Sequence, residues 1–446
     1  MTETSDSELV STRQRRIAQL AKQMPEKGLT SLNQYLDLAW LREAYRRTRK
    51  DGAVGIDGQT AADYEKDLEG NLRSLLERAK SGSYWAPPVR RVHIPKGTGP
   101  ETRPIGIPTL EDKVLQRAIV MLLEPIYEED FYDCSFGFRP RRSAHQALDS
   151  LSKQTMWSGV KCLLEVDIRK FFDTLDHAHL RTFLQQRVRD GVVLRLIGKW
   201  LNAGVLEAGA VTHPDAGSPQ GGVISPVLAN VYLHYVLDQW FAREVQPRLK
   251  GRAYVIRYAD DFVIGFTEDE DARRVMAVLP KRFGKYGLTI HPDKTRLVPF
   301  RKPQGERRGT EGKGPGTFDF LGFTHFWARS RKGNWCLKRK TAASRFTRAI
   351  RTIDQWCRSH RHDPIAEQHA VLCQKLRGHA GYYGIVGNSP ALARFYHEVL
   401  KVWRKWLMRR RRAWRSSWDW FRQLLARYPV PYLRVINPRY RGVANG

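Results

Sequence analysis

Tyr254-Val255-Ile256-Arg257-Tyr258-Ala259-Asp260-Asp261-Phe262-Val263-Ile264 is the stretch on which the rest of the chain turns. Its two flanks are short, apolar and rich in β-branched and aromatic residues, so they read as two strands of a hairpin. Turns favour aspartate. Two adjacent carboxylates between apolar strands, however, repel one another and resist desolvation unless a cation sits with them. A divalent ion answers that need, and paired carboxylates around divalent ions are the usual apparatus of phosphoryl transfer.

Composition narrows the partners. The 446 residues are 41% hydrophobic, enough for a large core and two or three domains. The formal net charge is +30. So strong a positive balance needs a polyanionic partner, nucleic acid first and an anionic membrane second. No apolar run is long enough to span a bilayer. The polar, acidic start Met1–Val10 lacks a signal-peptide core. The five cysteines, Cys134, Cys162, Cys336, Cys357 and Cys373, are scattered and odd in number, which argues against a disulfide framework. These features point to a soluble, cytoplasmic, bacterial-type protein, free or at the nucleoid.

Working outward from the hairpin, residues 1–80 read as helical and polar, with Leu32, Tyr35, Leu36, Ala39 and Leu41 at helical spacing and a glycine-broken stretch from Lys50 to Gly58. Val89–Ile94 alternates like a strand, and Leu110–Leu123 is helical. Val160–Val166 is a compact buried strand, Val223–Trp240 a long apolar helix, and Glu268–Tyr286 helical again. Arg301–Gly316 is a charged, glycine-rich loop and Phe318–Phe326 returns to strand character. Beyond about Gly333 the pattern is helical, basic and tryptophan-rich.

A third carboxylate belongs with the pair. Asp167 ends the apolar run Val160–Val166 and precedes Ile168-Arg169-Lys170-Phe171-Phe172. A strand end holds a ligand rigidly, and two-metal phosphoryl transfer draws carboxylates from more than one element. Asp173 and Asp176 read as helix caps or solvated turn residues. Between Asp167 and the hairpin lies Ala216-Gly217-Ser218-Pro219-Gln220-Gly221-Gly222, directly before a helix. Its free N-terminal amides would suit a phosphate or a nucleotide backbone, although such a loop taken alone is usually only a loop.

Taken in order, these segments resemble the group II intron reverse transcriptase/maturase family over about residues 30–412. Gly55-Ile56-Asp57-Gly58 resembles its N-terminal extension motif. Arg90–Lys96 and Arg103-Pro104-Ile105-Gly106-Ile107-Pro108 resemble the fingers, and Phe136-Gly137-Phe138-Arg139-Pro140 the segment after them. Asp167–Phe172, Ser218-Pro219-Gln220-Gly221 with Ser225–Asn230, and Tyr258-Ala259-Asp260-Asp261 resemble the palm motifs. Gly287-Leu288-Thr289-Ile290 with Lys294-Thr295, and Phe320-Leu321-Gly322-Phe323, resemble the last two. Leu376-Arg377-Gly378 with Tyr382-Tyr383 resembles the thumb.

The resemblance implies an α+β right-hand polymerase: fingers, a palm with an antiparallel sheet, a helical thumb and an N-terminal helical extension. Its segments are 1–80 for the extension, 81–330 for fingers and palm, 331–412 for the thumb, and 413–446 for a basic nucleic-acid-binding segment. Asp167, Asp260 and Asp261, with the backbone of Ile168, would hold two Mg2+, Mn2+ being a substitute. Lys96, Arg103 and Gln220 would hold the deoxynucleoside triphosphate. Phe172 would be the ring against which a ribose 2′-hydroxyl clashes, unless it is ordinary core beside Phe171 and the gate lies there instead. Tyr258, Leu321 and Gly322 would contact primer or template. The partners implied are a group II intron RNA, an RNA template with its DNA primer, and a DNA target, with no membrane and the oligomeric state open.

The tail adds a basic, aromatic stretch. Arg409-Arg410-Arg411-Arg412 lies among Trp403, Trp406, Trp414, Trp418 and Trp420. The arginine run suits a nucleic-acid backbone with salt-sensitive affinity. Phe395, Val399, Trp403 and Trp406 share a helical period and read as core. Relatives often carry a zinc-binding endonuclease domain, but no Cys-x-x-Cys occurs here. Cys357, His360, His362, His369 and Cys373 do not follow a standard structural zinc spacing and read as a polar helix face with buried thiols. Two other functions compete: an RNA-binding maturase scaffold without essential polymerase activity, and a domesticated, CRISPR-associated or phage-defence reverse transcriptase. Three intact aspartates argue against the scaffold.

Overall fold

The structure is a computed structural model in which residues 2–95, 102–207, 209–212, 216–217, 221–303, 316–330, 332–410 and 418–436 are described, with side chains from residue 6. The chain forms two compact units, divided at Arg301 and Lys302.

The first unit opens with helices α1 (Thr2–Gln23), α2 (Leu38–Arg47), α3 (Ala61–Glu65) and α4 (Leu68–Ser81). The spacing around Leu32–Leu41 is not one helix. A 3-10 turn over Leu32–Tyr35 stops before Asp37, whose side chain accepts from the Trp40 amide and starts α2. Strands β1 (Val89–Pro95) and β2 (Thr102–Ile107) form an antiparallel hairpin. Helix α5 (Leu110–Asp130) follows, buried on nearly every face. That is why it reads as apolar all round. Helices α1 and α2 pack on it: the Trp40 indole donates to the Ala118 carbonyl at 2.9 Å and Gln14 to that of Met121 at 3.0 Å.

Next come α6 (Ala144–Trp157), β3 (Cys162–Val166), β4 (Ile168–Arg169), α7 (His177–Arg187), α8 (Gly191–Leu201), β5 (Val205–Glu207) and β6 (Ala210–Thr212). The side chain of Asp176 caps α7, as its spacing predicts. Helix α9 (Ser225–Leu233) is shorter than the run Val223–Trp240 predicts. It widens into π turns over His234–Asp238 and Phe241–Val245, geometry that tends to mark functional sites.

Strands β7 (Ala253–Tyr258) and β8 (Asp261–Phe266), helix α10 (Asp269–Gly284), and strands β9 (Thr289–Ile290) and β10 (Arg296–Pro299) complete the unit. The central sheet runs β10-β3-β8-β7, with every pairing antiparallel, and a second sheet runs β2-β1-β5-β6. Leu164, Val166, Phe262, Ile264 and Phe266 of the central sheet join one apolar core with α5 and α9. Leu163, Ile256 and Val263 are buried as well, so the strands read as near-continuous apolar runs.

The second unit corrects the expectation of helix beyond Gly333. Strands β11 (Phe318–Phe320), β12 (Phe323–Arg329) and β13 (Trp335–Thr341) form a sheet, and β13 pairs with β12 over its whole length. In β13 the basic residues hide the alternation: Leu337, Arg339 and Thr341 are buried between more exposed neighbours. Helices α11 (Ala343–Ser359), α12 (Ile365–Tyr383), α13 (Ser389–Met408) and α14 (Trp418–Arg427) then share a separate core. Phe395, Val399, Trp403 and Trp406 are all buried in it, as their period predicts. Among the described residues no helix is long and apolar enough to cross a membrane.

Candidate active site

Strands β7 and β8 close through two residues, Ala259 and Asp260, with Tyr258 paired to Asp261. Ala259 takes φ 58°. Two-residue hairpins call for a positive φ at this first turn position, normally supplied by glycine. Alanine adopts it at a cost of about 1–2 kcal/mol, and such strain persists only where the surroundings over-determine it.

The surroundings here are a buried polar network. The Arg257 guanidinium, wholly inside the protein, donates to Asp238 through Nε at 2.9 Å and Nη2 at 2.5 Å. Its Nη1 donates to Asn230 Oδ1 at 3.0 Å and to the Ala259 carbonyl at 3.1 Å. Asn230 in turn donates to the Gly137 carbonyl at 2.7 Å. Gly137 lies flat on the turn: a Cβ there would sit 2.3 Å from the Ala259 nitrogen. None of Arg257, Asp238, Asn230 or Gly137 stands out in the sequence as a partner of the aspartates. The only trace is an arginine set in an apolar strand.

Asp167 follows β3, whose last residue Val166 pairs with Phe262. One step further along that register, Asp167 stands opposite Asp261. The loop after β9 clasps it on three sides. The His291 amide donates to the Asp167 carbonyl at 2.8 Å, the Asp167 amide donates to Thr295 Oγ1 at 3.4 Å, and Lys294 Nζ lies 3.2 Å from Oδ2.

Asp260 titrates above the ordinary aspartate range. Burial is the main cause and the charge of Asp167 adds to it, while Arg103 and Arg257 pull the other way. The two carboxylates thus lie within electrostatic reach of each other, and Arg103 of β2 within reach of Asp260. Asp261 is exposed. Ile168 is buried and pairs with Ile290, which leaves only its backbone for a ligand.

Among the described residues no three His, Cys, Asp or Glu side chains are drawn together closely enough to cage an ion. What favours a cation is the pair: two carboxylates whose mutual repulsion, under partial burial, a positive ion relieves.

Phe171 and Phe172 part company. Phe171 is buried, whereas Phe172 is half-exposed and meets it edge-on at 5.3 Å. Gly217 lies against this turn and Gly221 against β2: a Cβ on Gly217 would touch the Phe172 and Asp173 carbonyls at 2.9 Å, and one on Gly221 the Gly106 carbonyl at 2.4 Å. The free amides expected at the start of α9 are in part taken. Gln116 Oε1 of α5 accepts from Val223 at 2.8 Å and from Ile224 at 3.3 Å. Lys96 and Gln220 lie outside the described residues.

Other expected contacts sit in the second unit. Leu321 and Gly322 form the β11–β12 turn, and the Leu321 carbonyl accepts from the Tyr382 hydroxyl at 2.8 Å. Arg409 stands over the Trp406 ring at 4.7 Å. Together with Asp354, Arg358, Arg361 and Lys405 it lines a basic cleft of about 710 Å3. Arg410 is committed differently, donating to the backbone carbonyls of His362 and Asp363 at 3.1 and 3.0 Å. Arg411 and Arg412 lie outside the described residues. In the Cys/His group, Cys373 Sγ meets His369 Nε2 at 3.2 Å, that nitrogen also faces the Pro429 carbonyl at 2.9 Å, and burial pushes the Cys357 thiol up to about 12.

Comparison with known proteins agrees with this geometry. The family pattern described as reverse transcriptase (RNA-dependent DNA polymerase) matches residues 94–325, and that described as group II intron, maturase-specific domain matches residues 345–425. Protein YkfC of Escherichia coli (strain K12) is 34% identical over 328 residues, covering 65% of this chain and 84% of that protein. The group II intron-encoded protein LtrA of Lactococcus lactis subsp. cremoris is 35% identical over 244 residues, covering 52% of this chain and 40% of its own. An uncharacterized 91 kDa protein in the cob intron of Schizosaccharomyces pombe is 25% identical over 392 residues, covering 74% and 47%. The chain thus spans less than half the length of the latter two. With a reverse transcriptase domain built around the aspartates and a maturase-specific domain after it, the chain belongs to the group II intron reverse transcriptase/maturase family.

Proposed function

We propose that the protein copies RNA into DNA at the Asp167–Asp260–Asp261 site, and that it binds a group II intron RNA, assists its splicing and makes the cDNA used in intron mobility. In this reading the central sheet is the palm of a right hand, the β1–β2 sheet its fingers, and the helices of the second unit its thumb. The observation that carries it is the placement of Asp260: a half-buried carboxylate on a strained turn, within electrostatic reach of Asp167.

The three aspartates, with the Ile168 carbonyl, would hold Mg2+, or Mn2+ in its place. Bound there, the ion would supply Lewis-acid chemistry for phosphoryl transfer from a deoxynucleoside triphosphate. The chain's own residues do the rest. Lys294 balances the charge of Asp167. Arg103, at the edge of the site, offers a planar fork to the triphosphate. The exposed flank of Phe172 borders the sugar position and excludes a 2′-hydroxyl by contact, while Phe171 behind it is core. The basic cleft around Arg409 supports contact with an RNA backbone.

Asp260→Asn tests the reading. Primer extension on an RNA template should fall by about three orders of magnitude or more, because a transition-state interaction is lost, while affinity for the primer–template stays within about three-fold. Undiminished synthesis by this variant would sink the assignment. Lost synthesis together with lost duplex binding would instead point to a scaffold role for the residue.

A further inference from the structure

Phe138 is the anomaly beside the site. It is a large apolar residue, 52% exposed, and it takes φ 56°. Either property alone is uncommon, and a bulky side chain in left-handed backbone is a genuine outlier. The strain is held in place from all sides. The Phe136 amide donates to the Arg257 carbonyl at 2.9 Å, and the Arg257 amide donates to the Cys134 carbonyl at 2.8 Å, so this segment runs along β7. Gly137 is wedged on the Ala259 turn. Arg139, buried, forks onto Glu128 at 2.9 and 3.0 Å and donates to the Tyr132 and Ser135 carbonyls. All this apparatus pins the loop, yet the Phe138 ring itself stays in water.

Where it stays matters. The Phe138 and Tyr258 ring centroids are 6.4 Å apart at 41°, and Tyr258 is the residue directly before the Ala259-Asp260 turn. Three residues beyond Phe138, Arg141 is also exposed and also left-handed, at φ 60°. An exposed ring thus leans on a half-buried one beside the carboxylate turn, with an exposed cation on the same loop. A ring costs about 1.5–3 kcal/mol to leave in water rather than bury, so strained backbone that keeps one there points to an occupant with an apolar face and an anionic edge.

We propose that Phe138 and Tyr258 form a platform against which the terminal base pair of the primer–template duplex rests, with Phe138 a positioning residue for the primer end rather than a catalytic one. The inference rests on the polymerase reading of the site. The loop's anchors fix the ring relative to the turn that carries Asp260, so the pair that leans on the ring is held in register with the carboxylates. Base–aromatic contact is indifferent to sequence because every base has a π-face, which suits an enzyme that must accept any terminal pair.

The test uses the full chain and an RNA template annealed to a DNA primer, with dissociation followed after addition of a trap. Phe138→Ala and Phe138→Gly should both release the duplex about ten-fold faster, while Phe138→Tyr stays within about two-fold of the parent. The glycine variant relieves the left-handed strain, so its folding is not in question. Affinity for single-stranded RNA should be unchanged. Replacing Phe138 with the photo-crosslinker p-benzoylphenylalanine should mark the terminal pair on either strand. Duplex release unchanged in both small variants, or crosslinks confined to nucleotides remote from the primer end, overturns the inference. Failure of the parent protein to bind the duplex at all overturns the polymerase reading instead.

Discussion

The β7–β8 and β11–β12 hairpins each turn within two residues, and they solve the same problem differently. The β11–β12 turn uses Leu321 at φ 50° and Gly322 at φ 77°, two left-handed residues in succession, with glycine covering one of them. The β7–β8 turn uses Ala259 at φ 58° and then the carboxylate Asp260. The first is a turn eased by glycine and tied to α12 through Tyr382 and Tyr383. The second gives up that ease and is held by the wholly buried Arg257–Asp238 ion pair, an asparagine on the same helix as Asp238 and a glycine from another loop. The lesson is that a strained turn kept without glycine signals a need for stiffness, since glycine would bring freedom along with relief.

That contrast can be attacked where it is strongest. Asp238→Ala leaves the Arg257 guanidinium buried without its partner. Stability should fall by about 3–5 kcal/mol, measured by denaturant unfolding, and catalytic turnover should fall further than duplex affinity. Loss of less than 1 kcal/mol would mean that the network is ornamental. A smaller effect is expected at the other turn. Gly322→Ala puts a Cβ at φ 77° and 3.0 Å from the Tyr383 hydroxyl, and should cost about 1–2 kcal/mol in the same unfolding measurement. The smallest effect belongs to Ala259→Gly. Relief of strain and gain of unfolded-chain freedom nearly cancel, so stability should rise by no more than about 0.5 kcal/mol, yet turnover should drop several-fold as the turn loosens. Unchanged turnover would show that stiffness at this turn is irrelevant to the chemistry.

The strands around Asp260 and Asp261 and the run ending at Asp167 were legible in the sequence because apolar patterning is local and the carboxylates break it. Asp176 was legible as a cap for the same local reason. The support beneath the turn was not. Arg257 finds Asp238 across a widened helix and Gly137 finds Ala259 across more than a hundred residues, and no periodicity encodes either pairing. Strand β13 escaped because Lys338 and Lys340 sit on its outer face and give it the composition of the basic helices that follow. The amides at the start of α9 looked free because Gln116, their partner, lies far upstream. The left-handed backbone of Phe138 and Ala259 is invisible in residue identity, since neither residue prefers it.

The strand order of the central sheet bears on the birth of the enzyme. β3, which leads to Asp167, lies between β8 and β10, and β10 comes from residues 296–299. As the chain leaves the ribosome, β3 waits through well over a hundred residues for its last neighbour, and until then it is an open apolar edge. Such late closure slows folding and exposes the strand to mispairing. Interrupted translation therefore yields not a weakened polymerase but a sticky fragment with one side of β3 unguarded.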